Sequence, residues 1–272
     1  MNANVYSTVC FSHIGKRSNH EDNFLINDLY LTSDFQKQMS DTRCYFISDT
    51  IMPRVRLFAV SDGMGGHNAG EVASRICVEK LAVAHSELQQ YSSLREAVAY
   101  LQTVITEINS IVCNLSRKQN ELKGMGATLV LFVICGTDYA ILNIGDSRAY
   151  HFSKDALIQI TKDHTEGQRM LELGLLTRKE LSGFPARKNL NRYIGYDQNG
   201  YVLQADEYYP VLDNGVMLLC SDGISDYLPD SRISEILHST NNLESAGKQL
   251  INEAVALHNA DNATVMLIPI RS

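Results

Sequence analysis

A chain of 272 residues, 44% hydrophobic and 20% charged, can bury a sizeable core as one large domain or two small ones. Its 24 basic and 31 acidic residues leave a net charge of −7, which argues against nucleic acid or a membrane as partner, since those surfaces select clustered Lys and Arg. The six cysteines form no CxxC pair, which argues against a zinc ribbon or a thioredoxin-type motif.

Runs rich in Val, Ile, Leu, Tyr and Phe read as strands at residues 4–15, 23–33, 43–48 and 56–62. Two helices follow, at 69–91 and 94–117, each with apolar residues spaced by three and four so that one stripe is buried. Ser93 with Glu96 three residues on fits a capping box at the start of the second helix. Strand-type runs resume at 127–135 and 139–152, a third helix is expected after Asp163, and a strand lies at 216–222. Residues 241–259 read as a helix and 264–270 as the last strand. Consecutive strand pairs with a helical hairpin between them favour an α+β fold over a parallel sheet. With no Pro- or Ser-rich linker, charge block or repeat, the expectation is one domain over 1–272. No segment has the pattern of a signal peptide, and no apolar run approaches the ~20 residues of a bilayer span, so a cytoplasmic protein is expected.

The chemistry gathers at the ends of these runs. "GKRSNHEDN" supplies Arg17, Glu21 and Asp22; "FAVSDGMGG" supplies Asp62; "NIGDSRAY" supplies Asp146; "LLCSDGISD" supplies Asp222 and Asp226; "ADNATVML" supplies Asp261. A single SDG is most simply a turn. Several aspartates leaving buried strands are another matter: if they converge, their charges repel and their pKa values rise. Hard divalent cations with oxygen ligands, Mg²⁺ or Mn²⁺, remove that repulsion. A paired-metal site can also clamp a transferring phosphoryl group. The glycines of "DGMGGHNAG" suggest a nucleotide loop, but the string lacks the Lys-Ser/Thr ending of a P-loop and the GxGxxG spacing.

In order, "RSNHEDN", "VSDGMGGHNAGEVAS", "GATLVLFVI", "NIGDSRAYHF", "ITKDHTEGQRMLELGLLT", "LLCSDGISDYL" and "ADNATVMLI" resemble the signature segments of the bacterial metal-dependent Ser/Thr protein phosphatases of type 2C. The resemblance runs from about residue 11 to 268. It implies a four-layer α-β-β-α sandwich, two mostly antiparallel sheets flanked by helix pairs, with a binuclear Mn²⁺ or Mg²⁺ centre at one end. It further implies that Asp62 bridges both ions, the Gly63 carbonyl ligates one, and Asp222 and Asp261 complete the other's shell. Glu21 and Asp22 would act through water, and Arg17 would bind the substrate phosphate. Asp146 and Asp226 match a third, weaker ion site. The implied reaction is direct hydrolysis of phosphoserine and phosphothreonine in proteins by a metal-bridging hydroxide, reversing a separately encoded kinase.

The sequence also departs from the family. Met64 stands where many eukaryotic relatives carry a histidine, and His20 where an asparagine is usual. His67 is read as a loop contact. Residues 27–55 form a longer connection than in bacterial relatives, read as a surface elaboration. Residues 164–205 resemble the flap subdomain, whose Arg187, Lys188 and Arg192 either draw phosphopeptides or stand solvated. A binding module that has lost its ligands is the competing class. It is disfavoured because Arg17, Asp22, Asp62, Gly63, Asp222 and Asp261 are all present.

Overall fold

The computed structural model describes residues 8–33, 43–47, 53–65, 69–154, 156–197, 202–240, 242–257 and 260–271. His67 and parts of the long connection and the flap lie outside the described residues. Strand β5 (Val55–Met64) shows how the layers arise. Its side chains alternate: Leu57 and Ala59 join one apolar cluster, while Phe58 and Val60 join a second. Strand β7 (Leu129–Cys135) divides in the same way, with Leu129, Leu131 and Val133 on one face and Val130, Phe132 and Ile134 on the other. A strand apolar on both faces must be covered on both sides, and period-2 alternation fixes which side chain goes where.

The remaining strands are β1 (Thr8–His13), β2 (Asp22–Ile26), β3 (Leu29–Tyr30), β4 (Arg43–Ile47), β6 (Gly126–Ala127), β8 (Asp138–Ile144), β9 (Arg148–Ser153), β10 (Ala156–Gln159), β11 (Asp206–Tyr208), β12 (Gly215–Cys220) and β13 (Ala263–Ile270). One sheet has the order β10-β9-β12-β13-β1-β4, and the other β11-β8-β7-β5-β2-β3 with β6 beside β5. Every pairing is antiparallel. Met217, Leu219, Met266 and Ile268 meet Phe58, Val60 and Phe132 between the sheets. Helices α1 (Gly70–Leu88) and α2 (Leu94–Lys118) cover the outer face of the second sheet. Helices α6 (Asp230–Ser239) and α7 (Leu243–Val255) cover the outer face of the first. Three short helices, α3 (Glu166–Glu172), α4 (Arg178–Leu181) and α5 (Asp222–Ser225), lie in the connections. The fold is α+β, a four-layer α-β-β-α sandwich.

The capping box forms: the Ser93 side chain accepts from Glu96 N–H while Glu96 returns to the Ser93 backbone. Two expected long strands are each broken by a turn. Residues 23–33 fold back at Asn27, whose φ of 57° makes a two-residue hairpin in which Ile26 pairs with Leu29. Residues 139–152 divide at Gly145, φ 98°, so that Asp146 sits in the turn between β8 and β9. Strands β10 and β11 and helix α6 have no counterpart among the expected elements. The strands are short edge pieces of mixed polarity, and α6 buries only Ile233, Ile236 and Leu237. Within the long connection, β4 pairs with β1 at the sheet edge.

Candidate metal centre

Antiparallel pairing brings the carboxylates to one end of the sandwich. Asp22 opens β2 and is the direct cross-strand partner of Asp62 in β5. Two like charges opposed in a ladder are destabilising unless something compensates them. Strand β12 ends at Cys220, paired with Val265 of β13, so Asp222 emerges next to Asp261, which lies just before β13 begins.

Close backbone contacts hold these ends together. A Cβ added at Gly223 would fall 1.9 Å from the Asn262 carbonyl oxygen. One at Gly63 would fall 2.1 Å from the Gly70 carbonyl oxygen and 2.8 Å from that of Glu21. Gly63 therefore lets the end of β5 pass the start of α1. Gly223→Ala is expected to destabilise the fold by about 3 kcal/mol, the upper end for overpacking, because the obstruction is backbone. Thermal unfolding of the metal-free variant measures this; an unchanged midpoint would contradict the close approach.

The electrostatics carry the signature of convergence. Burial raises the Asp62 carboxyl well above its ordinary range, and Asp22, Asp222 and Asp146 raise it further. Burial and then Asp222, Asp163 and Asp226 push Asp146 up to about 8. Glu21 rises to about 7 through burial, then through Glu71 and Asp261. Asp22 and Asp222 are also raised, burial again being the first cause. The structure thus brings Glu21, Asp22, Asp62, Asp146, Asp222, Asp226 and Asp261 to one end. Three of these side chains, Asp22, Asp226 and Asp261, are engaged by protein donors. Arg17 pairs with Asp261 at 2.5 Å, Lys188 pairs with Asp226, and Ser221 and Thr264 each donate to Asp22 Oδ2 at 2.7 Å. Among the described residues no three His, Cys, Asp or Glu side chains already surround a common point.

The donor set suits hard divalent cations: it is all oxygen, burial and mutual repulsion disfavour the unaccompanied charges of Asp22, Asp62, Asp146 and Asp222, and Gly63 lets the backbone approach closely. Several positioning residues carried no expectation from the sequence. Thr128 Oγ1 accepts the Asp62 N–H at 3.0 Å and lies 2.6 Å from Ser147 Oγ, tying β5 to the turn that bears Asp146. Asn262 accepts from Glu21 N at 2.7 Å and donates to the carbonyls of Ile14 and Asn19, clamping the Arg17 loop. Both residues lie in quoted motifs, "GAT" and "DNAT", whose polar residues were the available signal. In the flap, Arg192 pairs with Asp206, and His164 Nδ1 accepts from Gly145 N at 2.9 Å. Lys188 and Arg192 are therefore held by carboxylates, neither of them simply solvated.

The sequence profile of the family described as Protein phosphatase 2C matches residues 49–255. That span includes Asp62, Gly63, Asp146, Asp222 and Asp226, while Arg17, Glu21, Asp22 and Asp261 lie outside it. The serine/threonine phosphatase stp of Listeria innocua is 32% identical over 210 residues, covering 77% of this chain and 82% of that one. The crystal structure of a bacterial serine phosphatase superposes with a TM-score of 0.80 at 28% identity, covering 97% of this chain and 98% of the other. The catalytic domain of the serine threonine protein phosphatase PstP, solved with 2 manganese ions, gives a TM-score of 0.73 at 27% identity, covering 98% and 100%.

Proposed function

This chain belongs to the protein phosphatase 2C family, and on that premise we propose that it hydrolyses phosphoserine and phosphothreonine in proteins at the carboxylate-lined end of the sandwich. The observation that carries the reading is the mutual elevation of the Asp62, Asp22, Asp146 and Asp222 carboxyls, which marks a site made for cationic charge. Asp62, Gly63 through its carbonyl, Asp222 and Asp261 would hold two Mn²⁺ or Mg²⁺ ions, with Glu21 and Asp22 reaching them through water. Asp146 and Asp226 would take a third ion. When bound, the ions acidify a water for attack on phosphorus and withdraw charge from the phosphoryl oxygens.

The protein's own groups do the rest. The Arg17 side chain is 59% exposed at the rim and can exchange its partner Asp261 for substrate, its guanidinium matching two phosphate oxygens. Asp62 is held in place through Thr128 and by its pairing with Asp22 across the ladder. Met64 offers no proton to the leaving alkoxide; its terminal methyl packs 2.8 Å from where a Cβ on Gly126 would fall. The flap at 164–205, tied down through Asp206 and His164, flanks the substrate. Residues 1–272 act as one catalytic unit in the cytoplasm, and a separate Ser/Thr kinase supplies the phosphoproteins. Among the described residues no helix is long and apolar enough to cross a membrane.

The test is release of phosphate from p-nitrophenyl phosphate and from phosphothreonine peptides with Mn²⁺, and its abolition by EDTA. Activity undiminished by EDTA would refute the reading. Arg17→Ala is expected to remove a hydrogen-bonded charge worth about 1.5–3 kcal/mol, roughly a 10- to 100-fold loss of kcat/KM on peptide. Arg17→Lys should recover only part of it, since a point charge lacks the bidentate fork. Full activity of the alanine variant would remove Arg17 from the phosphate site.

A further inference from the structure

A buried hydrogen-bond chain leads away from Asp22 to a residue outside the candidate ligand set. Ser221 Oγ and Thr264 Oγ1 each donate to Asp22 Oδ2 at 2.7 Å, and Ser221 Oγ accepts from Thr264 N at 3.0 Å. Thr264 Oγ1 lies 2.7 Å from Ser12 Oγ, and Ser12 Oγ lies 3.0 Å from His20 Nε2. Ser12, His20, Asp22, Ser221 and Thr264 are each 0% exposed. The members come from β1, the loop before β2, β2, the end of β12 and β13, so the chain links both sheets.

Counting donors fixes its direction. A hydroxyl has one hydrogen. With metal bound, Asp22 is an ionised carboxylate that can only accept, so Thr264 gives its hydrogen to Asp22 and accepts on the side of Ser12. Ser12 then gives its own hydrogen to Thr264, so towards His20 it too accepts. His20 must therefore carry its proton on Nε2, leaving Nδ1 bare. Among the described residues nothing bonds to Nδ1.

We propose that His20 is a positioning residue for the metal centre: through Ser12 and Thr264 it fixes the Asp22 carboxylate in the orientation the divalent ions require. Groups hydrogen-bonded directly to a metal ligand orient it and typically alter affinity 10- to 100-fold when removed; His20 acts from further out, through two hydroxyls and Asp22. The inference rests on the placement of Asp22 in the metal shell.

Two measurements test it. In the Mg²⁺-saturated protein, long-range ¹H–¹⁵N correlation of the His20 ring is expected to show the Nε2–H tautomer. The Nδ1–H tautomer would overturn the proposal, and this measurement needs no variant. In Mn²⁺ titration calorimetry, His20→Leu and Thr264→Val are expected to weaken binding roughly 10-fold, the lower end of the range for a group bonded directly to a ligand. His20→Gln, whose amide nitrogen reaches the place of Nε2, and Thr264→Ser should recover most of the affinity. Folded His20→Leu and Thr264→Val proteins that bind Mn²⁺ within twofold of the unaltered protein would overturn it. Absence of Mn²⁺ binding by the unaltered protein would refute the placement of Asp22 instead.

Discussion

Asp62→Asn and Asp222→Ala, assayed on a phosphothreonine peptide at saturating Mn²⁺, are expected to lose at least roughly 1000-fold in kcat, the scale on which preorganised charge stabilisation acts. Asp62 faces Asp22 across the ladder and has Asp222 and Asp146 as charged neighbours, so it is central to the carboxylate group. No nearby carboxylate can replace it, because each neighbour leaves a different strand end. The same surroundings predict an opposite effect on stability. In EDTA the Asp62 charge is disfavoured by burial and by three like charges, so the neutral Asn should melt higher than the unaltered protein. A residue serving only the fold would lose stability on substitution. Catalysis that survives Asp62→Asn, or a large loss of metal-free stability, would contradict the role given to Asp62.

The second large effect is a fall in metal-free stability with pH, opposed by a stabilisation by metal that grows over the same interval. Without metal, Glu21 is raised from 4.5 to about 7, Asp22 from 3.8 to about 7 and Asp146 from 3.8 to about 8. The folded state thus keeps protons that the unfolded chain releases, so these groups favour folding fully below about pH 4. That contribution is lost as pH rises through about 7 to 8. In EDTA the melting temperature should therefore fall between pH 5 and pH 8. Metal binding needs the ionised carboxylates, so the rise in melting temperature on adding Mn²⁺ should grow over the same interval. At 100 times its dissociation constant a ligand stabilises by about 2.7 kcal/mol, which in a protein of this size is a shift of about 5–10 °C. A metal-induced shift that shrinks from pH 5 to pH 8 would contradict the account, as would a metal-free protein most stable at pH 8.

Much of this was legible in the sequence, for identifiable reasons. Leu57, Phe58, Ala59 and Val60 sit in a short apolar run that reads as a strand, and the fold buries it on both faces. The helices announce themselves by spacing, and α2 by the Ser93 and Glu96 box. Most of the candidate site residues reach one end because they stand near the boundaries of apolar runs, and antiparallel pairing aligns such boundaries. What escaped were elements whose identity depends on a partner. Strand β11, "DEY", has no strand signal of its own and exists because it pairs with β8. Thr128 and Thr264 look like ordinary strand residues; only the fold shows that one meets the Asp62 backbone and the other Asp22. The partners of Lys188 and Arg192 lie on segments far along the chain, which no local pattern could supply.

The most direct test of the central claim is anomalous diffraction at the manganese edge from crystals of the unaltered protein grown with Mn²⁺. The account predicts two strong peaks against Asp62, flanked by Asp222 and Asp261, and a weaker one beside Asp146 and Asp226. An Mn²⁺-dependent phosphatase whose crystals show no peak at this end of the sandwich would contradict it.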